Sequence, residues 1–109
     1  MNQESDKYTY RVLWSDDDEE FVGLCAEFPS LSWLASSPEK ALKGIRIVVK
    51  DCVMDMEGNN EKLPLPFALR KYSGKFLVRV PAEVHRHLAI EAAESGVSLN
   101  RIASAKLAH

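Results

Sequence analysis

The sequence predicts an α+β chain of two small modules: an N-terminal antiparallel sheet packed on one helix, and a C-terminal strand, helix, helix tail that dimerises. Three patterns carry the prediction. Aromatic and β-branched residues alternate with others between Tyr8 and Ala35, the period-two signature of strands. Apolar residues then recur at spacings of three and four from Leu42 to Met56, as on one face of a helix. Finally, Gly74 to Ala108 holds a short alternating run, a proline and two apolar stripes separated by Gly96.

Taken in order, Tyr8–Trp14 places Tyr8, Tyr10, Val12 and Trp14 on one side and Thr9, Arg11 and Leu13 on the other, a first strand. Ser15–Glu20 is a loop. Phe21–Glu27 resumes as a second strand, with Phe21, Gly23 and Cys25 opposite Val22, Leu24 and Ala26, buried on both faces or nearly so. The two form a hairpin. Phe28-Pro29-Ser30 turns the chain, since proline cannot extend a central strand, and Leu31–Ala35 is a third, shorter strand. Ser36-Ser37-Pro38-Glu39 starts a helix: a hydroxyl for the cap, proline at the first helical position, an acid in the first turn. Leu42, Ile45, Val49, Cys52 and Met56 mark its apolar stripe, widened by Ala41 and Val48, and Gly58-Asn59 ends it.

Pro64 and Pro66 flank Leu65 in an extended segment, and the module boundary falls there, giving residues 1–66 and 67–109. In the tail, Phe76, Val78 and Val80 form one row of an extended strand and Lys75, Leu77 and Arg79 the other. Pro81 stops the ladder and opens a helix whose face carries Val84, Leu88 and Ala92. Gly96 stands where a helix end needs positive φ, Ser98 caps the next helix, and Leu99, Ile102, Ala103 and Leu107 share one of its faces. A lone strand has two open edges and is marginal in water, so this one is expected to pair with its copy in a second chain.

In that arrangement the tail resembles the ribbon-helix-helix family of DNA-binding proteins, on Phe-x-Val-Arg-Val-Pro-x-Glu-Val and Gly-x-Ser-x-Asn at the right separation. The resemblance implies that the paired ribbon enters the major groove. Lys75, Leu77 and Arg79 are then the residues expected to touch bases: arginine can grip a guanine edge with two prongs, lysine a base or a phosphate, leucine only an apolar feature such as a thymine methyl. Ser98, Leu99 and Asn100, at a helix N-terminus with free N–H groups, suit a DNA phosphate. An ordinary surface cap has the same sequence, and the two roles are compatible.

Composition narrows the classes of function. The chain is 46% hydrophobic and 28% charged, as in soluble globular proteins. It has no apolar run long enough to span a bilayer, and the polar start Met-Asn-Gln-Glu-Ser-Asp-Lys is unlike a secretory signal. A cytoplasmic protein is expected. Cys25 and Cys52 lie outside any Cys-x-x-Cys or Cys/His cluster and read as small core residues. His85 and His87, two apart on a helix, lie on different faces and cannot share a metal ion. No metal or other cofactor is expected. The net charge of −2 conceals an asymmetry: residues 1–66 hold 7 Lys/Arg and 13 Asp/Glu, residues 67–109 hold 7 and 3. Either two partners of opposite charge or an uneven split by chance accounts for it.

The order strand, strand, strand, helix, proline-rich segment, with Glu27-Phe28-Pro29-Ser30-Leu31-Ser32-Trp33 and Ser37-Pro38-Glu39-Lys40-Ala41-Leu42, resembles the HicB antitoxin family. The resemblance implies an N-terminal domain like a partial ribonuclease H fold that binds and occludes a small basic RNA-cleaving toxin, HicA. It also implies a ribbon-helix-helix tail that, as a dimer or higher even oligomer, binds operator DNA and represses its own operon. Hairpin loops in that family often contain glycine, whereas Ser15–Glu20 has none. Nuclease activity is not expected, because the predicted strands almost lack the carboxylates a two-metal site needs. Asp16–Glu20 is a solvated turn first, an electrostatic contact for a basic partner second, and a metal cluster only remotely. Trp14, Trp33, Tyr8, Tyr10, Phe21 and Phe28 fill a core or a dimer contact, or anchor a protein partner. The alternative function is a stand-alone regulator whose N-terminal domain senses a ligand or oligomerises.

Overall fold

The computed structural model describes residues 4–109. They form two compact units, divided between Tyr72 and Ser73. In the first, a 3-10 turn Glu4–Lys7 leads into β1 (Tyr10–Ser15), β2 (Glu20–Cys25) and β3 (Ser32–Ala35), followed by α1 (Pro38–Gly58). The sheet is antiparallel with strand order β1-β2-β3. The expected α+β layering is therefore present, with strand ends moved by a residue or two.

The hairpin turns without glycine because Glu19 takes the left-handed conformation, φ 52°, which side chains adopt at some cost. Ser37 caps α1 by accepting the Lys40 N–H at 3.2 Å, with Pro38 as its first residue.

Side chains of directly paired residues share a face. The register Tyr10↔Cys25, Val12↔Gly23 and Gly23↔Trp33 sets these residues on the side covered by α1. A Cβ on Gly23 would sit 2.5 Å from the Ala41 carbonyl oxygen and one on Gly44 would overlap the Trp33 ring, so helix and sheet touch where glycine removes a side chain. The core comprises Tyr8, Cys25, Phe28, Ile45, Val49 and Val53, with Tyr10, Leu31, Cys52, Met56 and Leu63 packed around it. Ile45, Val49 and Val53 are wholly buried, each stabilising by roughly 1.5–3 kcal/mol relative to exposure.

Two expectations about packing need correction. Leu42, placed on the buried stripe of α1, is exposed, whereas Val53 and Gly44 lie inside: contact with the sheet runs along positions 41, 45, 49 and 53, each four residues from the last. And β2 is covered on one face only; Val22 and Leu24 remain half-buried on the other.

The segment after α1 is tied to the first unit by polar clamps. The Tyr8 hydroxyl donates to the Pro64 carbonyl at 2.9 Å, and the buried Glu27 carboxylate accepts the Phe67 N–H at 2.9 Å. Arg70 stacks its guanidinium 3.8 Å from the centre of the Phe67 ring and donates to the Leu65 carbonyl. The Tyr72 hydroxyl donates to the Phe67 carbonyl. Residues 67–72 thus pack with the sheet module.

The second unit, Ser73–His109, holds α2 (Ala82–Ser95) and α3 (Leu99–Leu107) packed on each other. Gly96, φ 69°, closes α2: its N–H reaches the Ala93 carbonyl, and the Val97 N–H reaches that of Ala92. This is the Schellman pattern that glycine permits. The expected tail strand is not a strand within the single chain. Residues 75–80 carry no ladder, because a ladder needs a second strand and this unit contains none.

Candidate nucleic-acid interface

The tail segment is positioned by its two ends. At the front, Gly74 adopts φ 80°, and the Ser73 hydroxyl folds over it, accepting the Lys75 N–H at 3.1 Å and donating to the Lys75 carbonyl. At the back, the Pro81 carbonyl takes the Val84 and His85 N–H groups and begins α2. Between them every residue is exposed, including Phe76 at 75% and Leu77 at 82%, with Val78 and Val80 about half open. Large apolar side chains this exposed in consecutive positions form a patch of the kind that marks an interaction surface.

Lys75, Leu77 and Arg79 lie in this segment, and neither cation forms an ion pair among the described residues. Ser98 caps α3 by accepting the Arg101 N–H at 3.1 Å, leaving the first N–H groups of that helix for an outside acceptor. Asn100 is exposed and Leu99 half-buried. The two sets share the second unit, but no hydrogen bond or ion pair joins them among the described residues. On α2, Arg86 and His87 both reach the Glu83 carboxylate, His87 at 3.0 Å, and Arg86 foremost, then His87, holds that carboxyl below its ordinary range.

The first unit offers no comparable cluster. Among the described residues no group of three or more His, Cys, Asp or Glu could hold a metal ion, and no helix is long and apolar enough to cross a membrane. The carboxylates of Asp16 and Asp18 are engaged locally, by the Trp14 indole N–H at 3.2 Å and the Ser15 hydroxyl at 2.8 Å. Trp14 and Trp33 are half exposed, while Tyr8 and Phe28 are buried edge to face with ring centres 5.3 Å apart.

The role of Glu27 is not among the expectations drawn from sequence. Its carboxylate accepts the Thr9 N–H at 2.8 Å and the Thr9 hydroxyl at 3.0 Å as well as the Phe67 N–H. Burial pushes this carboxyl up, but the N–H groups of Phe67 and Thr9 outweigh burial and set it below the ordinary range. The signal available was an acid in an otherwise apolar strand end next to Phe28-Pro29.

The fold and the tail define a class: a small α+β module followed by an exposed extended segment and a capped helix pair. Within that class, the family model described as HicB family matches residues 57–107. The match spans the end of α1, the proline-rich segment and the whole helical tail, so this part of the chain is similar to the HicB family. No curated protein and no solved structure matches. That similarity is consistent with an antitoxin of a toxin–antitoxin pair.

Proposed function

We propose that the chain is an antitoxin whose N-terminal unit binds and neutralises a HicA-like RNA-cleaving toxin, and whose tail forms a ribbon-helix-helix dimer that binds operator DNA and represses the operon. The reading rests on one observation above all: Phe76, Val78 and Val80 are exposed in a segment without a ladder partner, directly ahead of two packed helices. Pairing with the same segment of a second chain closes both defects. It satisfies open backbone groups and turns three apolar side chains per chain toward four helices. Lys75, Leu77 and Arg79 then face outward in duplicate, an arrangement suited to base edges and phosphates. The protein acts by occupancy; it performs no chemistry and needs no cofactor.

Two measurements test it. Arg79→Ala should abolish binding to DNA from the region upstream of the coding sequence while leaving the dimer folded; parental affinity in the variant defeats the DNA arm. Co-expression with an adjacent reading frame for a small basic protein should give a stable complex and relieve its toxicity. Separate elution of the two defeats the toxin arm.

A further inference from the structure

We infer that the face of the sheet not covered by α1 is the docking surface for a basic protein partner, with an apolar centre and an acidic rim. The register builds the centre. Leu13 pairs with Val22, and Val22 with Leu34, so one residue from each strand forms a row across the sheet, with Leu24 beside it in the next row but one along β2. Leu13 and Leu34 are each 42% exposed. No helix covers this row, since α1 occupies the opposite face.

The rim is built by the hairpin. Glu20, paired with Ser15, lies on the same face as Val22, and Asp16, Asp17, Asp18 and Glu19 follow around the turn. None of these five carboxylates takes part in an ion pair among the described residues. Apart from Arg11, the described strand residues of this face carry no cation; Lys43, Arg46 and Lys50 line a groove of about 380 Å³ between α1 and Tyr10 together with Asp6 and Glu39, and Arg46 is paired to Asp6 at 2.6 Å. The hairpin is therefore the unit's concentrated negative edge, whereas α1 balances Lys40, Lys43, Arg46 and Lys50 against Glu39, Asp51, Asp55 and Glu57. Such a field draws a cationic surface to the hairpin edge of the sheet rather than to the helix. A second copy of this chain is the weaker occupant, because Arg11 is the one cation among the described strand residues of the open face and would answer only a fraction of the hairpin's charge.

The inference rests on the antitoxin reading, because the probe is a small basic HicA-like toxin. Three variants separate the outcomes: Asp17→Lys with Glu20→Lys on the rim, Leu34→Glu in the centre, and Lys43→Glu with Lys50→Glu on the helix side as control. Circular dichroism and binding to upstream DNA establish folding, and the rim variant, confined to the hairpin, carries the test if Leu34→Glu does not fold. Titration calorimetry at low and high salt should show the rim variant binding the partner at least tenfold more weakly, with a reduced salt dependence. Leu34→Glu should weaken binding similarly, and the control should match the parent or exceed it. Parental affinity in the rim variant, or a loss in the control as large as in the rim variant, overturns the inference while leaving the antitoxin reading standing. A parent that does not bind the probe at all overturns both. If Leu34→Glu instead lowers the oligomeric state of the chain alone, the face is a self-interface and the inference falls.

Discussion

The Glu27 carboxylate accepts the Phe67 N–H at 2.9 Å across a sequence separation of 40 residues, fastening the segment that leads to the tail onto the end of the sheet. Its oxygens also take the Thr9 N–H and hydroxyl. Glu27→Gln offers these donors one acceptor oxygen and an opposing NH2 group, so one buried N–H loses its partner. The expected loss is about 1–3 kcal/mol, read as a lower midpoint in urea or thermal unfolding.

The same site sets a pH dependence. The donated N–H groups hold the folded carboxyl below its ordinary value of 4.5 despite burial. A depressed folded value means that Glu27 stabilises the fold fully above the ordinary value, and that this stability is lost as pH falls through the folded one. Unfolding midpoints measured from pH 7 down to pH 3 should therefore fall more for the parent than for Glu27→Gln. Parallel curves would place the acid sensitivity elsewhere.

The contact of α1 with the sheet distinguishes two glycines. A Cβ on Gly23 meets the Ala41 carbonyl oxygen at 2.5 Å and Ile45 Cγ2 at 2.8 Å, so backbone must move, and Gly23→Ala should cost about 1–3 kcal/mol. The nearest atoms to a Cβ on Gly44 belong to the Trp33 ring, of a residue 47% exposed. That ring can swing toward solvent, and the helix gains roughly 1 kcal/mol from alanine in place of glycine. Gly44→Ala should be the milder change, accompanied by a red shift of tryptophan emission.

Signals local in sequence were legible. Ser37-Pro38 at the start of α1, Gly96 after α2 and Ser98 before α3 each act through backbone groups within four residues, and each falls where expected. Packing was less legible. Leu42 and Val53 are both apolar and near the edge of the helical stripe; which one is buried depends on how α1 crosses the strands, and Gly23 and Gly44 set that crossing. Glu27 was silent because its partner Phe67 is remote and a carboxylate at a strand end looks like surface. The segment 75–80 illustrates the converse: its alternation is plain in sequence, yet a single chain cannot supply the strand that would make it a ladder.

Exposure of Phe76, Val78 and Val80 predicts that the tail's stability depends on protein concentration, because association adds a mass-action term. Sedimentation of the parent should show a dimer at micromolar concentration, and its tail should melt at a higher temperature as concentration rises. Val78→Glu would set two carboxylates in an apolar row and should give a monomer whose melting ignores concentration. Leu77→Glu, on the other row, should remain dimeric.

Salt dependence separates Lys75 from Leu77 on the outward row of the 75–80 segment. A lysine that neutralises a DNA phosphate displaces a condensed counterion, contributing about 0.9 to the slope of log affinity against log salt. In a dimer Lys75 occurs twice, so Lys75→Ala should reduce the slope by about 2 and weaken binding to every sequence alike. Leu77→Ala removes no charge; it should leave the slope unchanged and alter only preference among DNA sequences. Fluorescence anisotropy with a duplex from the upstream region and a scrambled duplex of equal length, between 50 and 300 mM salt, reads both quantities. An unchanged slope in Lys75→Ala would remove Lys75 from the phosphate-contacting set. A slope change in Leu77→Ala would mean that the segment itself had rearranged, since leucine carries no charge with which to displace an ion.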